Sequence, residues 1–292
     1  MADKVPVAAK KSGGKIDLAS MGGLILAIGG IVGGLVMEGG KVKDIAQVTA
    51  AIIVLSGTIG AVMVTTPMRT LVGAVKKLGL IFFEPDHSPN AMIEEIIGYA
   101  TKARKSGIVS LEKEADAIQE PFLRKALNLA VDGTDLDVIR KTMELEIGLY
   151  EHQAEAEAKV FEAAGGYAPT IGIIGAVLGL IQVMKNLANI EEVGHGIAVA
   201  FVATVYGVGT ANVFFLPAGN KIKARMHAVI QKRELMLEGV AGIVEGLNPK
   251  LIRSRLEAYA HQSPAAGKAA AGNAATEPQA AKTSARAAAA EG

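Results

Sequence analysis

The chain has no cysteine and no tryptophan among its 292 residues. Without cysteine there is no disulfide framework, no thiolate nucleophile and no Cys-based zinc site. Charge is almost balanced, with 30 Lys and Arg against 29 Asp and Glu and a net +1, so no basic field is available to gather nucleic acid. No nucleophile, base and orienting group are spaced as an active site, and no Gly-rich loop follows a strand to cradle phosphate. An enzyme reading has no residues to carry it, and no cofactor is implied. The most informative absence is local: Asp, Glu, Lys, Arg and His are missing from four apolar windows, residues 18–37, 45–66, 167–184 and 196–216.

Half of the residues are apolar, which alone does not make a membrane protein; the clustering does. Each window approaches the roughly 20 residues that a helix needs to cross the hydrocarbon layer. The first follows Lys4, Lys10, Lys11 and Lys15 as a secretory signal would, but it exceeds the roughly 7–15 residues of a signal core and fits an uncleaved span. The expected fold class is all-α: four transmembrane helices in two hairpins, with a helical domain between them. Lys and Arg before the first span and after Pro67 and Arg69 place both regions in the cytoplasm, and with them the C-terminus after Lys221, Lys223 and Arg225. The turns at 38–44 and 185–195 then face the periplasm of a multi-pass inner-membrane protein.

The expected organisation is a cytoplasmic N-terminus (1–16), a first transmembrane hairpin (17–67), a cytoplasmic helical domain (68–165), a second transmembrane hairpin (166–217), a cytoplasmic C-terminal helix (218–261) and an Ala-rich tail (262–292) with no periodic apolar face. The helical domain opens with an amphipathic link, residues 68–83, suited to lying on the membrane surface. Helical spacing of apolar residues follows in AMIEEIIGYATKAR and DLDVIRKTMELEIGLYEHQ. Pro121 and the run from Asp132 to Asp135 mark turns, with Asp135 placed to cap the next helix.

Small residues recur at helical spacing in the second hairpin, at Gly172, Gly175, Ala176 and Gly179 and at Ala200, Ala203, Thr204 and Gly207. Such faces allow close helix approach. Two readings stand: tight packing inside one subunit, or a smooth wall around another chain's helix. Pro169 and Pro217 each remove a backbone donor; Pro217 reads as punctuation at a helix end. His195 reads as a solvated turn residue.

The segments GGYAPTIGIIGAVLGLIQVMKNL and GIAVAFVATVYGVGTANVFFLPAGNKIK resemble the third and fourth spans of the flagellar stator family typified by MotA and PomA, and the resemblance runs from about Asp17 to His261. It implies a MotB-type partner that supplies the membrane aspartate this chain lacks, a ring of five copies around two partner chains, contact with membrane lipid, and torque on the rotor protein FliG. By the same resemblance the ion pathway and its gating involve Pro169, Ala176, Ala203, Thr204, Tyr206 and Pro217, and the segment ATKARKSGIVSLEKEAD offers Arg104 and Glu112 as rotor contacts. Glu146 and Glu151 match an acidic stretch less specifically. Sodium-driven relatives carry threonine where this chain has Ala176 and Ala203, so a proton is the expected ion. The alternative is an ExbB-like or TolQ-like energiser, which shares the last two spans, acts on a periplasmic or outer-membrane partner, and lacks the rotor motif.

Overall fold

The computed structural model describes residues 15–84 and 89–262. Expectations for the N-terminal Lys4, Lys10 and Lys11 and for the Ala-rich tail from Ser263 onward lie outside the described residues. Among the described residues the architecture is helical apart from one two-residue antiparallel bridge, β1 (Lys15–Ile16) with β2 (Phe83–Glu84). Among the described residues two compact units are formed, one by 15–84 together with 148–227, the other by 89–147 together with 228–262.

The first unit holds α1 (Leu18–Met37), the short α2 (Val42–Ile45), α3 (Val48–Thr65), α4 (Met68–Lys77), α5 (Gly79–Phe82), the later part of α9 (Leu136–Lys185), α10 (Ile190–Thr210) and the start of α11 (Leu216–Val244). Among the described residues, four helical stretches are long and apolar enough to cross a membrane: Leu18–Met37, Val48–Thr65, Leu136–Lys185 and Ile190–Val244. Asp17 starts α1 by accepting from the Ala19 and Ser20 amides, both at 3.1 Å. Asn189 starts α10 in the same way, from the Glu191 amide at 3.1 Å, and Glu191 and Glu192 in the first turn suit the positive end of the helix dipole. No residue of α1 is buried. An apolar helix left this open needs a bilayer or another chain against it.

The helices run differently from expectation at three places. The boundary expected at residue 165 falls inside α9, which runs through Gly165, Gly166 and Pro169 without a break. Pro217 does not end a helix: α10 passes through a π-helical turn, Ala211–Phe215, directly into α11. Proline at 217 cannot donate to the carbonyl one turn back, and the widened turn just before it accommodates that gap. The C-terminal helix expected over 218–261 is interrupted after Val244, where Gly246 takes φ 68, and resumes as α12 (Pro249–Gln262).

The second unit holds α6 (Pro89–Ser106), a 3-10 turn (Ile108–Leu111), α7 (Glu112–Ala117), α8 (Pro121–Val131), the first part of α9, the end of α11 and α12. Its core is built from Ile93, Ile96, Leu111, Phe122, Leu127, Met143, Met236 and Leu256, all buried. Gly239 lets α11 approach α6: a Cβ there would stand 2.7 Å from Ile96 Cγ2. Ion pairs tie the rim, Arg140 to Glu238 at 3.3 Å and to Glu245 at 3.5 Å, and Lys232 to Glu120 at 2.6 Å. Pro121 opens α8 at its first position, where a missing amide hydrogen costs nothing, and Asp135 accepts from the Asp137 amide at 2.9 Å.

Candidate ion pathway and rotor-facing residues

Glycines set the distance between α9 and α10. A Cβ on Gly172 would lie 2.9 Å from the Ala203 carbonyl oxygen, one on Gly179 would lie 2.7 Å from the Gly196 carbonyl oxygen, and one on Gly207 would lie 2.6 Å from the Ala168 carbonyl oxygen. These neighbours are backbone atoms that cannot rotate away, so the helices meet main chain to main chain. α3 closes on the same pair, with a Cβ on Gly57 meeting Ile171 Cγ2 at 2.7 Å. Of the two readings of the small-residue stripe, packing inside the subunit is what these glycines do.

Ala203 sits inside this packing. Its side chain is 0% exposed, enclosed with Ala50, Val54 and Val202, and a Cβ on Gly175 would stand only 2.8 Å from its methyl. The methyl therefore packs within the subunit and does not look onto an open face. Ala176 and Thr204 are half-buried, and the Thr204 hydroxyl donates to the Ala200 carbonyl at 3.2 Å, the helix-internal bond common for threonine. Pro169 is half-buried at the crossing, with its Cα 3.2 Å from where a Gly207 Cβ would sit. Tyr206 donates its hydroxyl to the Ile45 carbonyl at 2.5 Å, tying α10 to the end of α2. Pro217 is exposed. Pro169 and Ala176 lie on α9, Ala203, Thr204 and Tyr206 on α10 and Pro217 on α11.

Sequence reasoning missed two charged clusters. Asp17 is 6% exposed; it pairs with Arg225 at 2.7 Å and with Lys221. The hydrogen bond from Lys221 chiefly, then the Ser20 amide and the charges of Lys221 and Arg225, hold its carboxyl down at about 2 against the desolvation that would raise it. Glu157, 3% exposed on α9, pairs with Lys77 of α4 at 2.6 Å and accepts from Gln153 at 3.1 Å. Gly73 makes room for it, since a Cβ there would stand 2.8 Å from the Glu157 carboxyl carbon. The only signal in the sequence was the positive charge after the fourth span, read there as topology alone.

In the second unit Arg104 and Glu112 are both exposed. Arg104 lies in the last turn of α6 and Glu112 in the first turn of α7, positions where each charge also suits its helix dipole. Nearby, Lys102 of α6 pairs with Glu114 of α7. Arg104 borders a groove of about 270 Å³ that also includes Ala103, Ile108, Gly133, Thr134 and Gly246. Glu146 pairs with Lys125 at 2.6 Å.

Residues 114–235 match the family described as the MotA/TolQ/ExbB proton channel family, and residues 21–106 match the N-terminal region of motility protein A. Motility protein A of Bacillus subtilis is 36% identical over 248 residues, covering 84% of this chain and 91% of that protein. This chain belongs to the MotA/TolQ/ExbB proton channel family. Chemotaxis protein PomA of Vibrio alginolyticus is 33% identical, covering 85% of this chain and 96% of its own. The solved MotAB of C. jejuni superposes with a TM-score of 0.81 at 30% identity, covering 85% of this chain and 98% of that one. The flagellar MotAB stator complex of Bacillus subtilis gives 0.77 at 34% identity, covering 82% and 95%. The proton channel match spans all six pathway candidates from Pro169 to Pro217; the motility N-terminal match includes Arg104 and stops before Glu112.

Proposed function

We infer that this protein is a flagellar stator subunit, which with a MotB-type partner forms a proton channel and converts proton flow into torque on the rotor protein FliG. One observation carries the mechanism: none of the four apolar runs holds an Asp, Glu, Lys, Arg or His. A proton relay through hydrocarbon needs such a group, so the titrating carboxylate comes from the partner's helix. In this reading α1, α3, residues 167–184 of α9 and residues 196–216 cross the inner membrane as two hairpins, and both termini and the second unit lie in the cytoplasm. Five copies surround two partner chains, with lipid on the outside. The half-buried Pro169, Ala176 and Thr204 contribute to the pathway, Tyr206 and Pro217 hold the geometry of α10 and its π turn, and Ala203 supports them by packing behind. Arg104 and Glu112 meet the rotor. The match to the N-terminal region of motility protein A favours this reading over an ExbB-like or TolQ-like energiser.

Co-expression with the MotB-type neighbour in a strain lacking its own stator tests it. Swimming is the expected result; a membrane-assembled complex that leaves every flagellum paralysed would refute it.

A further inference from the structure

Among the described residues, Thr58 is the one buried polar side chain within the four apolar runs, at 1% exposure. Its hydroxyl oxygen is enclosed and has no hydrogen-bond partner. Other hydroxyls in these helices donate to a carbonyl one turn back: Ser56 to Ile52, Thr65 to Ala61 and Thr204 to Ala200. Threonine in a helix has this bond available from its own backbone. A hydroxyl that lacks it and is shut away from water makes the closed packing less favourable than an apolar side chain of the same shape would.

The place of Thr58 on α3 gives that cost a consequence. Ala50, Val54, Thr58 and Val62 are the buried residues of α3, and at a spacing of four they form one stripe. Val54 shares an apolar cluster with Val202 and Ala203 of α10, and Val62 shares another with Phe161 and Ala164 of α9. Thr58 is the polar break between the two. Beside it, a Cβ on Gly57 would meet Ile171 Cγ2 at 2.7 Å, just past Pro169 in α9. Pro169 cannot donate to the Gly165 carbonyl, and a helix without that bond bends there readily. The orphan hydroxyl of α3 and the missing bond of α9 thus lie on the two sides of one contact.

We propose that Thr58 is a positioning residue of the ion pathway: its unpaired hydroxyl keeps the contact of α3 with α9 near balance between the closed packing of the structure and an opened one, in which α9 bends at Pro169 and the hydroxyl gains an acceptor. The proposal rests on the stator function inferred above and names the contact that opens as ions pass. Pairing one buried hydroxyl is worth about tenfold in such an equilibrium.

The test uses the full chain with its MotB-type partner. Thr58→Val keeps the shape and removes the hydroxyl, whereas Thr58→Ser keeps the hydroxyl. Hydrogen exchange in the purified complex reads the contact, and the speed of a motor driven by a single stator unit reads its use. In Thr58→Val the amides of residues 170–173 in α9 become about tenfold better protected, those of residues 93–97 in α6 do not change, and single-unit speed falls. A hydroxyl with a merely structural role would alter how many units assemble and leave the speed of each unchanged. Thr58→Ser keeps the protection and the speed of the unchanged protein. Unchanged protection in Thr58→Val, unchanged single-unit speed, or the same loss of speed in both variants overturns the proposal. So does a Thr58→Val chain that fails to reach the membrane, because an unpaired hydroxyl contributes nothing that folding needs. An unchanged complex that turns no flagellum overturns the stator function and this role with it, while the exchange comparison still reads the contact.

Discussion

Gly207 lies directly on Gly172: a side chain on the first would place its Cβ 3.0 Å from the Cα of the second and 2.6 Å from the Ala168 carbonyl oxygen. The α9 and α10 pair therefore has no room for even one methyl at this crossing. Gly207→Ala should lower the stability of the purified complex by about 1–3 kcal/mol, read as thermal unfolding in detergent. Gly209→Ala, two residues away with nothing within 4 Å of its Cβ, should unfold with the unchanged protein. Equal unfolding temperatures for the two variants would show that the helices are looser than this contact requires.

The orientation of the spans is tested by cysteine chemistry, which a cysteine-free chain makes clean. Ser106 is exposed at the end of α6, and Asn189 caps α10 between the third and fourth apolar runs. In intact cells with a permeable outer membrane, an impermeant thiol reagent should label Asn189→Cys and leave Ser106→Cys untouched until the inner membrane is opened. Labelling of Ser106→Cys from outside would invert the topology.

On the surface proposed to meet the rotor, Arg104 and Glu112 are exposed, and exposed charges act weakly, at about 0–1 kcal/mol per pair. Neutralising either one should lower torque partially. Reversing either should lower it further, and a compensating reversal on the rotor should restore swimming. Unchanged speed in an Arg104→Glu, Glu112→Lys double variant would remove both residues from the contact.

Much of this architecture is legible in the sequence because hydropathy is a local property. The charge-free windows, the cap at Asp135 and the turn at Gly133 need no knowledge of neighbours. What the sequence does not display is pairing between distant positions. Asp17 and Arg225 meet across 208 residues, and no periodicity joins them. A glycine stripe reads the same whether it faces its own subunit or another chain, so the enclosure of Ala203 becomes visible only once α3, α9 and α10 are packed. Pro217 misled for a related reason: a missing amide hydrogen ends a helix unless a wider turn absorbs it, and a π turn carries no sequence signature of its own.

The Asp17 cluster predicts an acid response. Its carboxyl falls from 3.8 to about 2 in the folded protein, so the unfolded chain binds the proton more readily. The stabilisation is complete above about pH 4 and is lost as pH falls through about 2. Protection of the Ala19 and Ser20 amides, relative to exchange in a free peptide at the same pH, should therefore fall over that window in the purified complex. Asp17→Ala should show weak protection at pH 7 already. Protection that does not change with pH in the unchanged protein would mean that the carboxylate does not hold the start of α1.

The ion is the last prediction, and the packing of Ala203 reshapes it. Sodium keeps needing several oxygen ligands as it moves, whereas a proton can pass between water and a partner carboxylate with few protein oxygens. Ala176 and Ala203 offer methyl groups, and the Thr204 hydroxyl is engaged with its own helix; this poverty of oxygens favours a proton. Installing hydroxyls is not equally easy at the two alanines. Ala176 is half-buried, so Ala176→Thr should fold and swim on the proton gradient at near-normal speed. Ala203 has 0% exposure and lies against Gly175, so Ala203→Thr forces extra volume into a closed contact at about 1–3 kcal/mol. Its first effect should be less assembled stator, measured in the membrane fraction before any change of ion. Tethered-cell rotation in sodium-free buffer, with the proton gradient held constant, is the deciding measurement. Rotation should continue unchanged; a stop on sodium withdrawal would overturn proton coupling.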